Sequence, residues 1–176
     1  MFHENREEFK FEWSHLGDIE IGRPNLGNTT HVAVYRLMQY TLRDAIIKHA
    51  DHEMASRVFY DAGLNAGKAF YRNLVGDPKN LNDLVATLQK LLKEMNIGIL
   101  RIEKADLENL EFVLTVEEDL DCSGLPMIEE AICTWDEGFF AGIFETFTSR
   151  PFKVKEVDCW CTGDRTCRFT AKALPR

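Results

Sequence analysis

The residues most able to do chemistry lie in the last third of the chain, where Cys133, Glu156, Cys159 and Cys167 offer three thiols and a carboxylate. The segment from Glu156 to Phe169 reads as a hairpin turning at Thr162-Gly163-Asp164, with Gly163 free to take positive φ and Asp164 suited to the place beside it. Such a turn sets Cys159 and Cys167 on opposed strands. Cross-strand Cβ atoms lie about 4.5–5.5 Å apart, close enough for two thiolates to share one ion. Glu156 stands three residues before Cys159, an odd spacing that puts the two on opposite faces of a regular strand. Both reach one ion only if a bulge falls near Val157-Asp158. Cys133 would come from the preceding helix, off its main apolar stripe. By residue type alone, a bound metal, a buried thiol cluster and a disulfide all remain open. Cys161 is a further thiol on the strand face of Cys159, able to stand in for Glu156.

The tail resembles the closing motif of the 4-vinyl reductase (4VR) domain family, E-x₂-C-x₃-G-D-x₂-C-x-F. Glu156, Cys159, Gly163, Asp164, Cys167 and Phe169 fill its positions. The stretch Phe59-Tyr60-Asp61-Ala62-Gly63-Leu64-Asn65-Ala66-Gly67 is similar to that family's glycine-bearing helix. A cysteine 23 residues before the glutamate (156 − 133) is similar to the zinc-binding arrangement of the related phenol-sensing transcriptional activators. The resemblance implies a zinc ion held by Cys133, Glu156, Cys159 and Cys167. Four protein ligands would close the tetrahedron and make the site structural. Iron is the alternative at a thiolate-rich site.

The resemblance also implies a fold shared with ligand-binding sensor domains and with vesicle-tethering subunits, and pairing as a homodimer. It further implies an apolar pocket for a small hydrophobic or aromatic molecule. By position Leu110, Phe112, Trp135 and Val154 are its candidate lining, although aromatics at such spacings also serve as plain core. Three functions stand side by side: a sensor-like small-molecule-binding domain, an enzyme or accessory factor reducing a vinyl group in tetrapyrrole metabolism, and an assembly scaffold. No catalytic residue is assigned. A reductase needs a hydride source, and the sequence has neither a G-x-G-x-x-G after a strand nor a flavin signature.

These residues require a frame of α+β type, an antiparallel sheet covered by helices, formed by residues 1–176 as a single domain. Alternation predicts strands at Phe9–Trp13, Asp18–Gly22, Gly98–Glu103 and Leu110–Val116, and a hairpin over Phe152–Ala173. Helical periodicity predicts two helices up to about residue 75. The first carries a stripe of Tyr35, Met38, Leu42, Ala45, Ile46 and His49; the second carries Ala55, Phe59, Ala62, Ala66 and Phe70. Gly63 and Gly67 within the second predict close approach of another backbone, because glycine otherwise costs helix stability. A leucine-rich helix follows Gly76-Asp77-Pro78, and another is predicted from Met127 to Thr148.

The length of 176 residues suits one sizeable core. A formal charge of −8 with no basic run lacks the footprint of a nucleic-acid binder and disfavours anionic membranes. The acidic, polar start from Met1 to Glu8 has no export-signal character, so a cytoplasmic, reducing setting is expected, with the five cysteines as thiols or ligands.

Overall fold

Alternating apolar residues in the second half of the chain form a four-stranded antiparallel sheet. The structure is a computed structural model that describes residues 11–128 and 130–175. The strands are β1 (Ile99–Asp106), β2 (Glu111–Glu117), β3 (Phe152–Asp158) and β4 (Cys167–Ala173), in the order β1-β2-β4-β3. Phe112, Leu114 and Val116 of β2 point to the core, together with Phe152 and Val154 of β3 and Phe169 and Ala171 of β4. The period of two thus gives the sheet one buried face.

The helices preceding this sheet are α1 (Ile19–Gly22), α2 (Val32–His49), α3 (His52–Phe70) and α4 (Leu81–Glu94). Asp51 caps α3 by accepting the Met54 N–H, and Asn80 caps α4 by accepting the Asp83 N–H. Leu81, Leu84, Leu88 and Leu92 are the buried face of α4, which packs beside β1. The last helix is α5 (Thr134–Thr148), which lies on the sheet through aromatic ring contacts: Phe144 stacks on Phe112 at 4.8 Å and Phe140 tilts beside Phe169 at 5.4 Å.

α3 packs on α5 through glycines on both sides. A Cβ at Gly63 or Gly67 would run into the carbonyl of Trp135 or Phe139; one at Gly138 or Gly142 would run into the carbonyl of Tyr60 or Leu64. The close approach expected from the Gly63/Gly67 pair is therefore present, and α5 answers it with a glycine pair of the same spacing.

Several expectations change. Asp18–Gly22 contains a short helix rather than a strand, because Asp18 accepts the Ile21 N–H and closes a capped turn. In the predicted strand Phe9–Trp13, Phe9 and Lys10 lie outside the described residues, and Trp13 begins a 3-10 turn, Trp13–Leu16. The final helix starts at Thr134 instead of Met127. The Ile128 N–H donates to the Cys161 carbonyl, which draws the preceding segment onto the hairpin. The stripe predicted on α2 is also not a core face: Met38 and Leu42 are 64% and 52% exposed, and Gln39 is the buried residue of that helix.

Candidate metal centre and apolar cleft

Four chain segments deliver buried thiols to one point. Cys159 follows β3 and Cys167 opens β4, with the turn between them closed by Gly163 at φ 104°. The expected irregularity is found where the β3–β4 register shifts between Glu156 and Asp158. Cys133 occupies the N-cap of α5, where the end of the helix dipole favours a thiolate. Cys122 arrives from the loop after β2. Asp119 shapes that loop, its Oδ1 accepting the N–H groups of Asp121 at 2.8 Å and Cys122 at 3.2 Å.

The Sγ atoms of Cys122, Cys133, Cys159 and Cys167 all lie within 4.8 Å of one another. Individual separations are 3.1 Å for Cys122–Cys167 and 3.9 Å for both Cys133–Cys159 and Cys133–Cys167. All five cysteines are buried and reduced. A donor set of this softness, burial and spacing fits a tetrahedral thiolate-bound metal ion.

Glu156 lies beside this set rather than within it. Its Oε2 accepts the Cys133 N–H at 3.1 Å, and its Oε1 is buried without a partner. Burial first, and the charge of Cys159 next, push its carboxyl up to about 8. Its own N–H donates to Glu137 Oε1, which also pairs with Lys155 at 2.8 Å. Cys161 is buried but outside the four-thiol group, its thiol pushed up to about 12 by burial and by Cys159.

Sequence reasoning brought together Cys133, Cys159 and Cys167 but missed Cys122. Its signal was an Asp-x-Asp-Cys-Ser-Gly loop, Asp119 to Gly124, directly after a strand.

The loop carrying Cys122 also holds α2. Asp121 accepts from Tyr35 Oη and from Gln39 Nε2, both at 2.7 Å, and Tyr40 Oη donates to the Asp121 carbonyl. Arg36 donates to the carbonyls of Leu120 at 2.8 Å and Ser123 at 2.9 Å. Desolvation raises the Asp121 carboxyl, while the bonds from Tyr35 and Gln39 oppose that rise.

Between α2 and α3 runs an apolar cleft of about 290 Å³. Met38, Leu42, Val58, Phe59, Ala62 and Trp135 form its walls, and Tyr35 and Gln39 form its polar end. Of the four lining residues predicted from sequence, Trp135 borders this cleft. Phe112 and Val154 are packed in the core, Phe112 against Phe144 and Phe152, and Leu110 lies half-buried at the start of β2.

Among the described residues, no helix is long and apolar enough to cross a membrane.

Residues 112–173 match the vinyl-4-reductase (4VR) domain family. An uncharacterized protein of Methanocaldococcus jannaschii is 33% identical over 128 residues, which cover 73% of this chain and 61% of that protein. A second from the same organism is 28% identical over 108 residues, covering 61% of each. The chain thus spans less than two thirds of the length of these two relatives. A third is 28% identical over 150 residues, covering 85% of this chain and 81% of its own length.

Solved structures share the fold. A vinyl-4-reductase family protein of M. jannaschii has a TM-score of 0.59 at 23% identity, over 85% of each chain. The phenol-responsive sensory domain of the transcription activator PoxR, solved with phenol, has a TM-score of 0.64 at 14% identity, over 82% of this chain and 75% of that one. Trafficking protein particle complex subunit 3 of Naegleria fowleri, covalently bound to palmitic acid, has a TM-score of 0.63 at 11% identity, over 82% of this chain and 95% of that one.

Proposed function

We propose, on the premise that residues 112–173 of this chain are a vinyl-4-reductase domain, that the protein is a zinc-stabilised, sensor-like module binding a small hydrophobic or aromatic molecule. The observation that carries this reading is the cleft walled by Phe59, Ala62 and Trp135, with Tyr35 and Gln39 at one end. Its volume of about 290 Å³ suits a single substituted ring; a cavity of about 150 Å³ already accepts benzene. The apolar walls supply affinity, and the polar end supplies orientation. The phenol held by the PoxR sensory domain, a protein of the same fold, supports an aromatic ligand class.

Zinc would be held by the thiolates of Cys133, Cys159 and Cys167, with Glu156 or Cys122 as the fourth donor. When bound, it supplies cross-linking rather than reactivity, because four protein ligands leave no open position. Cys159 and Cys167 fix the hairpin, and Cys133 ties the N-terminus of α5 to it. A reducing, cytoplasmic setting belongs to this reading, since it keeps the thiols available to the ion.

The output of such a module is a change in association. Val34, Leu37, Met38 and Leu42 of α2 are large apolar residues left exposed, 57%, 66%, 64% and 52% respectively. Met38 and Leu42 are at once lip of the cleft and part of this face. A ligand that moves them alters the surface offered to a second copy of the chain, so a homodimer tuned by the ligand is the form we assign.

Phenol and palmitic acid are the probes for the test, added to the purified chain and to Ala62→Phe, which fills the cleft. Phenol is expected to raise the melting temperature of the parent protein and leave the variant unmoved. If both probes shift the two proteins equally, or neither shifts either, the cleft is not the binding site.

A further inference from the structure

The donor sets considered above differ in one ligand, and the geometry distinguishes them. We infer that Cys122 is the fourth ligand of the metal, giving a four-thiolate centre, and that Glu156 instead orients Cys133 through its backbone. This rests on the proposal that the thiol cluster holds a metal.

A tetrahedral ion with metal–sulfur bonds of about 2.3 Å needs sulfur–sulfur edges of about 3.8 Å. Cys133 meets Cys159 and Cys167 at 3.9 Å, and Cys122 stands 3.1 Å from Cys167. All four sulfurs fall within 4.8 Å of one another, a condition the Glu156 carboxylate does not meet. One oxygen of Glu156 is already engaged, accepting the Cys133 N–H at 3.1 Å. That bond fixes the N-cap backbone and so aims the Cys133 side chain, the part played by groups that surround a metal's direct ligands.

The loop that bears Cys122 is built to present it. Asp119 Oδ1 receives the Cys122 N–H, the Leu120 N–H is bound by the Ile97 carbonyl, and the Ser123 N–H returns to the Asp119 carbonyl. The thiol is fully buried although it belongs to no strand or helix. Four thiolates and a divalent ion sum to the same charge, −2, as three thiolates and a carboxylate. The exchange therefore alters softness and reach without altering net charge.

Ligation at Cys122 also joins two features that are otherwise separate. Asp121, its neighbour, holds Tyr35 and Gln39, and both line the apolar cleft. A bond from the metal to Cys122 pins the loop against which α2 rests, so loading the ion shapes the cleft.

Zinc-edge X-ray absorption on the full chain counts the ligands directly, because sulfur at about 2.3 Å and oxygen at about 2.0 Å are separable. The parent protein is expected to show four sulfurs. Cys122→Ser is expected to lose one, while Glu156→Gln and Cys161→Ser keep four. Three sulfurs and one oxygen in the parent would overturn the inference and leave Glu156 as ligand. Four sulfurs that fall to three in Cys161→Ser would also overturn it, in favour of that thiol. If Cys122→Ser fails to fold, the parent count taken with Cys161→Ser still decides. A parent chain that retains no zinc overturns the metal reading itself, an outcome distinct from a wrong fourth ligand. Phenol-induced stabilisation is expected to weaken in metal-stripped protein; an unchanged response would overturn the coupling to the cleft.

Discussion

Tyr35 on α2 donates its hydroxyl to Asp121 Oδ1 over 2.7 Å, joining points 86 residues apart in sequence. Burial first, and Asp121 next, hold the phenol far above its ordinary range, so it stays a donor. Tyr35→Phe leaves a buried carboxylate with one side-chain donor fewer. Chemical denaturation should record a loss of about 1–2 kcal/mol. No loss would mean that α2 does not rely on this latch.

The glycine crossing gives a sharper test. Gly67→Ala places a methyl group against the Phe139 carbonyl, and a backbone cannot move aside as a flexible side chain can. A destabilisation of about 1–3 kcal/mol or more is expected. Gly22→Ala is the control, since a Cβ there meets nothing within 4 Å. Equal effects at the two sites would remove close packing as the reason for Gly67.

Stripping the metal should lower the melting temperature and loosen the hairpin, because binding free energy at a site absent from the unfolded chain is folding free energy. Cys159→Ser and Cys167→Ser are expected to reproduce that loss and to make added chelator ineffective. A melting curve indifferent to chelator in the parent chain would instead describe a packed thiol cluster.

Gly163 closes the β3–β4 turn at φ 104°, outside the range side-chain-bearing residues favour. Gly163→Ala should cost about 1 kcal/mol through backbone strain and should reduce zinc retention, because the turn spaces Cys159 from Cys167. Zinc retention equal to that of the parent would separate the turn from the site.

The hairpin, its bulge and the glycine pair were legible in the sequence because each follows from a local rule: a turn residue, an odd spacing, a helix-breaking residue kept inside a helix. Cys122 was not legible, since its position depends on how a loop after β2 folds over Asp119, a contact that no periodicity encodes. The stripe on α2 misled for a related reason. Its apolar residues recur at helical spacing, yet the helix is fastened through Tyr35, Arg36, Gln39 and Tyr40 to loop atoms and leaves Met38 and Leu42 exposed. The late start of α5 reflects the bond from Ile128 to Cys161, a tertiary contact that overrides the helical pattern of residues 127–133.

The facing glycine pairs of α3 and α5 have a mechanical meaning. Backbone touches backbone at that crossing, with no layer of side chains to change rotamer and let one helix slide along the other. The two helices therefore move as one rigid body, with Phe59, Ala62 and Trp135 riding on it as a fixed wall. α2 is the opposite wall, continuous with α3 through Ala50 and Asp51 and latched toward its other end by the polar bonds of Tyr35 and Gln39. Such a layout works as a jaw: one side is anvil, the other swings, and the size of molecule admitted is decided by how firmly the swinging side is held at its far end.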